Sequence, residues 1–144
     1  MMNLGVYGSQ NNTQFGPVAK LAGVALTDME GRLAKLDSNG DAALPTDMAD
    51  ICPFIIGEGA ADEAQVALIP MSSAQSMRVL LKGTCNAGDR LCPADMSTSA
   101  DAGKAQALPA TGDTYCCFGI AEEDGVDAQL VKFRYVGHQI TVVT

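Results

Sequence analysis

The chain has no tryptophan, one histidine, and only three tyrosines and four phenylalanines among 144 residues. A sugar-binding surface made of exposed aromatic platforms has little to draw on here. Acid–base catalysis usually recruits histidine or convergent carboxylates in a pocket. The single imidazole, His138, lies near the C-terminus with no carboxylate beside it in sequence, and no enzyme is expected. Positive charge is scarce too: nine Lys and Arg, never clustered, stand against 17 Asp and Glu, for a net charge of -8. A nucleic-acid surface depends on basic residues to neutralise phosphates, so that class of partner is excluded. No Gly-rich phosphate loop with its Lys and Ser/Thr occurs. No uninterrupted apolar run reaches the roughly 18 residues of a membrane span. The first residues lack the basic region and apolar run of a signal peptide, so the protein is expected to stay in the cell that makes it.

What the chain does have is a near repeat. Residues 45–70 lie over 109–134 without a gap at an offset of 64, matching Pro45 with Pro109, Cys52 with Cys116, Phe54 with Phe118, Ile56 with Ile120, Glu58 with Glu122 and Gln65 with Gln129. Upstream the match resumes at a changed offset, Gly40 with Gly103 and the Arg-Leu of 32–33 with that of 90–91, which places an insertion of the second copy within 93–102. Repeats of about 31–70 and 89–134 are too short to bury an independent core. The two copies are expected to share one domain, 18–144, and to close on each other about a pseudo-twofold rather than stack in an open array.

Turn chemistry sets the spacing of the elements. Asp37-Ser-Asn-Gly40, Asn86-Ala-Gly-Asp89 and Asp124-Gly125 join short apolar segments, since Gly and Asn tolerate positive φ while Asp and Ser bond nearby backbone. Strands are predicted over 19–26, 32–36, 51–57, 64–70, 78–82, 115–121, 129–135 and 139–143. In 129–135, Val131, Phe133 and Tyr135 alternate with Leu130, Lys132 and Arg134, the period of a half-buried strand. The fold class is all-β, a small barrel or sandwich of two pseudo-repeated units, with at most a turn or two of helix near 46–50 or 71–77. Residues 1–17 differ in kind, being rich in Asn, Gln and Gly with no counterpart in either repeat. They are expected to form an extended arm whose apolar anchors, Leu4, Val6, Tyr7 and Phe15, order along another protein.

Five cysteines, Cys52, Cys85, Cys92, Cys116 and Cys117, are separated by 33, 7, 24 and 1 positions, which matches no zinc pattern. Cys52 and Cys116 fall in apolar strands and are expected as small core side chains; Cys85 and Cys92 flank a turn and could face each other, and all five are expected as free thiols. The acidic turns around Glu58, Asp62 and Glu63, around Glu122, Glu123, Asp124 and Asp127, and at 37–41 match no calcium loop and are expected to be solvated. Neither metal nor cofactor is expected. Lys104, in Asp101-Ala-Gly-Lys104, superficially resembles the modified lysine of biotinyl and lipoyl carriers, which are also doubled β-folds; it lies inside the second copy rather than on a hairpin between halves.

The segments 87–91 (AGDRL), 103–110 (GKAQALPA) and 114–134 (TYCCFGIAEEDGVDAQLVKFR) resemble a family of small tailed-phage and prophage proteins, long without an assigned function, whose members include head decoration, or capsid cement, proteins. The resemblance spans roughly residues 18–143 and consists of strand and turn grammar, with no catalytic residue to carry over. It implies a structural virion protein, made in the host cytoplasm and added to the capsid exterior. Its partner would be the major capsid protein, which it would bridge as a homo-oligomer, a trimer by family habit, stabilising the expanded head. On that basis Leu4, Val6, Tyr7 and Phe15 would contact the capsid or a neighbouring subunit.

Overall fold

The structure, a computed structural model, describes residues 17–144. The expected all-β class holds: among the described residues ten strands form two five-stranded antiparallel sheets, and the one helical element is a 3-10 turn at Ser99–Asp101. The first sheet contains β1 (Val18–Leu21), β2 (Leu33–Leu36), β3 (Ala42–Ala43), β4 (Phe54–Glu58) and β5 (Gln65–Pro70), in the order β1-β5-β4-β2-β3. The second contains β6 (Ser76–Leu80), β7 (Arg90–Pro93), β8 (Ala105–Ala107), β9 (Asp113–Ala121) and β10 (Leu130–Val143), in the order β6-β10-β9-β7-β8. The two orders are the same. Each sheet curls until its outer strands meet at one parallel bridge, Ala22 with Ala42 and Leu81 with Ala105, fastened by Gly23 N–H to Ala42 O and Lys82 N–H to Ala105 O, both 2.8 Å. Of the two architectures left open by the sequence, each half is therefore a small barrel.

The strand pairings give the true correspondence between halves. Ile56 opposite Leu68 has its counterpart in Ala121 opposite Phe133, and Ile55 opposite Ile69 in Ile120 opposite Arg134, so β4 and β5 map onto β9 and β10 at an offset of 65. The offset of 64 suggested by residue identities is one position out. With a side-chain period of two, a slip of one turns every inward residue outward, so the pairings and the identities cannot both be right about facing. Buried residues confirm the pairings: Ala22, Leu26, Ala34, Ala42, Ile56, Val66 and Leu68 form the interior of the first barrel, and Leu81, Cys85, Leu91, Ala105, Ala121, Val131 and Phe133, at the matching positions, fill the second. Cys52 thus matches Cys117 rather than Cys116. Glu63 and Ala128, also matched, share a left-handed backbone at φ 62 and 64.

The halves do not close about a pseudo-twofold. A twofold would make every contact reciprocal. Instead Leu80 N–H donates to Gly31 O at 2.7 Å and Leu33 N–H to Gly103 O at 2.7 Å, and no equivalent bond joins Leu21 to Gly88 or Arg90 to Gly40. The joint is head-to-tail. Leu33, Cys52 and Ile55 of the first half pack into the cluster that holds Met77, Val79, Phe118 and the second interior, with Ile69 and Met71 against it. At the matching places the second half carries Arg90 for Leu33 and Arg134 for Ile69, so the face that docks in one half is charged in the other, and the pattern stops at two.

The insertion of the second copy serves this joint. Eleven residues, 94–104, connect β7 to β8 where five, 37–41, connect β2 to β3. The Arg32 guanidinium donates to Ala100 O at 2.7 Å and Ala102 O at 2.8 Å on that longer loop. Gly103 stands at φ +83, and a Cβ there would lie 3.0 Å from Arg32 Cβ and 3.1 Å from Leu33 O, which is why a glycine closes it.

Candidate functional site

The groups with intrinsic reactivity are used as structure. All five cysteines are buried and reduced. Cys52 and Cys85 belong to the shared core, while Cys92 and Cys117 form a separate small cluster with Tyr115, so the envisaged Cys85–Cys92 pair sits in two different cores. Burial pushes the thiols of Cys52 and Cys92 up to about 12, the opposite of what a nucleophile needs.

His138 has partners that its sequence position hid. Its Nδ1 lies 3.1 Å from Tyr135 Oη and its Nε2 3.0 Å from Cys52 O, across the joint between halves. With the tyrosine hydroxyl donating to Nδ1 and Nε2–H donating to the carbonyl, both ring nitrogens are satisfied by a neutral imidazole. Lys104 is held in an ion pair. Its side chain is only 15% exposed and its Nζ sits 2.9 Å from Asp101 Oδ1, with Lys82 Nζ 3.1 Å from Oδ2 of the same carboxylate.

The acidic turn of the second half is bonded rather than merely solvated, whereas Glu58, Asp62 and Glu63 of the first are exposed. Glu123 accepts from Lys132 N–H and Arg78, Glu122 from Ser76 and Arg134, Asp124 from Ala87 N–H and Asp127 from Gly83 N–H. Among the described residues no three Asp, Glu, His or Cys side chains converge on a point that would hold a metal ion. A cleft of about 240 Å³ between the halves is lined by Thr46, Asp47, Met48, Asp95, Met96 and Asp113, with three carboxylates and no basic side chain in its wall.

Hydrogen bonds first from Lys104 and then from Lys82 hold the Asp101 carboxyl below the usual carboxylate range. A folded-state value below the unfolded one means stability that is fully present above about pH 4 and is lost as pH falls through the folded value. Asp101→Asn removes that contribution. Its melting temperature is expected below that of the parent near neutrality, with the gap narrowing as pH is lowered beneath about 4. Thermal melts across pH 2–7 check this, and a gap that stays constant over the range would refute it.

The surface with a different character is the ribbon formed by the first part of β9 and the second part of β10. Residues 113–117 pair with 139–143, beyond a bulge between Tyr135 and Gln139 at which Gly137 takes φ +95. Neither β4 nor β5 has such an extension. On its other side β10 pairs with β6 only through Arg134, so from Tyr135 to Val143 no strand covers that edge among the described residues. Val136, Ile140 and Val142 stand 61%, 54% and 67% exposed. Edge strands are commonly guarded by charge or proline, yet residues 135–144 contain neither.

The sequence predicted both parts of β10 as strands, but not that they are continuous or that one edge stays open. The predicted contact residues Leu4, Val6, Tyr7 and Phe15 lie outside the described residues. Compared with protein-family models and with curated proteins, the chain matches none of them.

Proposed function

We propose that this protein is a structural capsid decoration protein of a tailed phage or prophage, binding the outside of the major capsid protein lattice and stabilising the expanded head. The observation that carries this is the pairing of an acidic, doubly built β body with one uncharged, exposed strand edge, in a chain whose longest uncharged run lies at its N-terminal segment. A body of net charge -8 resists nonspecific association with polyanions and with its own copies. Its neutral, apolar elements are then the places where specific contact costs least desolvation.

The function is mechanical. A rigid body that bridges neighbouring capsid subunits opposes the internal pressure of packaged DNA, and many equivalent sites on one shell multiply modest contacts by effective concentration. Homo-oligomerisation, as a trimer at threefold positions, suits such a lattice.

The test is co-sedimentation of the purified protein with expanded heads of the phage that encodes it. Saturation at a fixed, stoichiometric copy number, together with greater resistance of the decorated heads to heat, is expected. Binding that never saturates, or heads no more robust than bare ones, would exclude the function.

A further inference from the structure

The open edge of β10 and the N-terminal segment have complementary chemistry. Residues 1–16 carry no charged side chain, and neither do residues 135–144. Leu4 and Val6 alternate as strand residues do, and Ile140 and Val142 alternate along the exposed part of β10. A strand edge offers a row of backbone donors and acceptors that an added strand satisfies, while alternate side chains find each other across the pair.

We propose that residues 1–16 of one copy of this chain add as an extended strand to the outer edge of β10, residues 136–143, of a second copy, with Leu4 and Val6 on the face that carries Ile140 and Val142. This deepens the decoration reading by naming what the arm grips, and it rests on the arm as gripping element rather than on the capsid.

Geometry favours a second copy over the same chain. The segment is rooted where Val18 pairs with Leu68, two residues from Pro70, which pairs with Phe54; the Cys52 carbonyl, two residues before Phe54, lies 3.0 Å from His138 Nε2 on the β10 edge. The root is thus close to the start of its own β10 edge. Leu4 and Val6 lie 13 and 11 residues upstream of Pro17. That is roughly 40 Å of extended chain, about the full width of a domain of this size. Binding at home would loop most of it out, whereas binding next door uses the reach. An arm and an edge are different surfaces, so the contact is heterologous and closes into a ring of whatever number the rotation allows.

Two variants of the full chain test this, Val6→Glu and Ile140→Lys; Ile140 is 54% exposed, so its substitution does not enter the core. Sedimentation velocity up to about 0.1 mM should show the parent associating and each variant weakened by about tenfold or more. Mixing the two variants should restore association. Val6→Glu retains an intact edge and Ile140→Lys an intact arm, so one native contact forms only between unlike copies. A monomeric parent, single variants that associate like the parent, or a mixture that stays dissociated would each overturn the proposal. No capsid is present in this assay, so its failure counts against the arm–edge contact alone; failure to bind heads counts against decoration.

Discussion

Phe133→Ala is expected to lower the free energy of unfolding by about 3–5 kcal/mol, and Leu68→Ala, at the matching position of the other half, by about 2–5 kcal/mol. Phe133 is fully buried and meets Phe118 edge-on, with ring centroids 5.3 Å apart and planes at 84°. Such a pair adds to the area term. The space for the ring is made by Gly119, where a Cβ would come within 2.7 Å of Phe133 Cδ2. Removing the ring therefore opens a void in the largest cluster, which draws on both halves through Leu33, Cys52 and Ile55 as well as Val79 and Val131. A domain of this size is typically stable by only about 5–15 kcal/mol, so the loss is a large fraction of the whole. Because the joint is part of that core, both variants should still unfold in a single denaturant transition of lowered midpoint. A second transition, with the first half surviving Phe133→Ala, would mean that the barrels are stable separately and the joint is only a surface contact.

The longer strands were legible because their side chains obey a period of two: Gln65–Pro70 and the alternating run at Val131, Phe133 and Tyr135 fall close to where the pattern put them. β3, β7 and β8 were not predicted; β7 is four residues ending in proline, and β3 and β8 are two and three residues long and built around alanine, a residue depleted in strands. Their alanines have a reason. Ala42 and Ala105 are fully buried at the parallel bridges that close each barrel, where the backbones of non-sequential strands approach and a larger side chain has no room.

The repeat was visible, but its register was not. Identities such as Phe54 with Phe118 pull the alignment to 64, while the structure matches Leu68 with Phe133 and Ile56 with Ala121, unlike residues whose volumes trade off inside two different barrels. Nor does any periodicity record that the joint is head-to-tail, since that depends on which outward residues are apolar in one copy and charged in the other. The insertion illustrates the same limit. Being unrepeated, it has no partner copy from which a role could be read, and the bonds of Arg32 to Ala100 and Ala102 show it holding the halves together. The ribbon edge stayed hidden because an open edge is a property of what fails to pair.

Deleting residues 1–16 is expected to abolish binding to expanded heads while leaving the fold unchanged. Among the described residues, none of the three buried clusters contains a residue before Ala22, so the truncated chain keeps every described core contact, and it is expected to unfold at the midpoint of the parent. Binding is another matter. Strand addition by even a few residues of arm supplies main-chain hydrogen bonds and two or more apolar anchors, and the loss of about 3 kcal/mol per site is roughly a hundredfold in affinity. On a lattice the effect compounds, because each site that falls vacant also removes a neighbour's anchor. Salt separates this from an electrostatic attachment. The arm and the β10 edge are uncharged, so raising ionic strength should leave occupancy unchanged or increase it by screening the repulsion of acidic bodies. Sedimentation of heads with full-length and truncated protein at low and high salt measures both effects. Undiminished occupancy after truncation, or parent binding that collapses in salt, would place the attachment on the charged body and not on the arm.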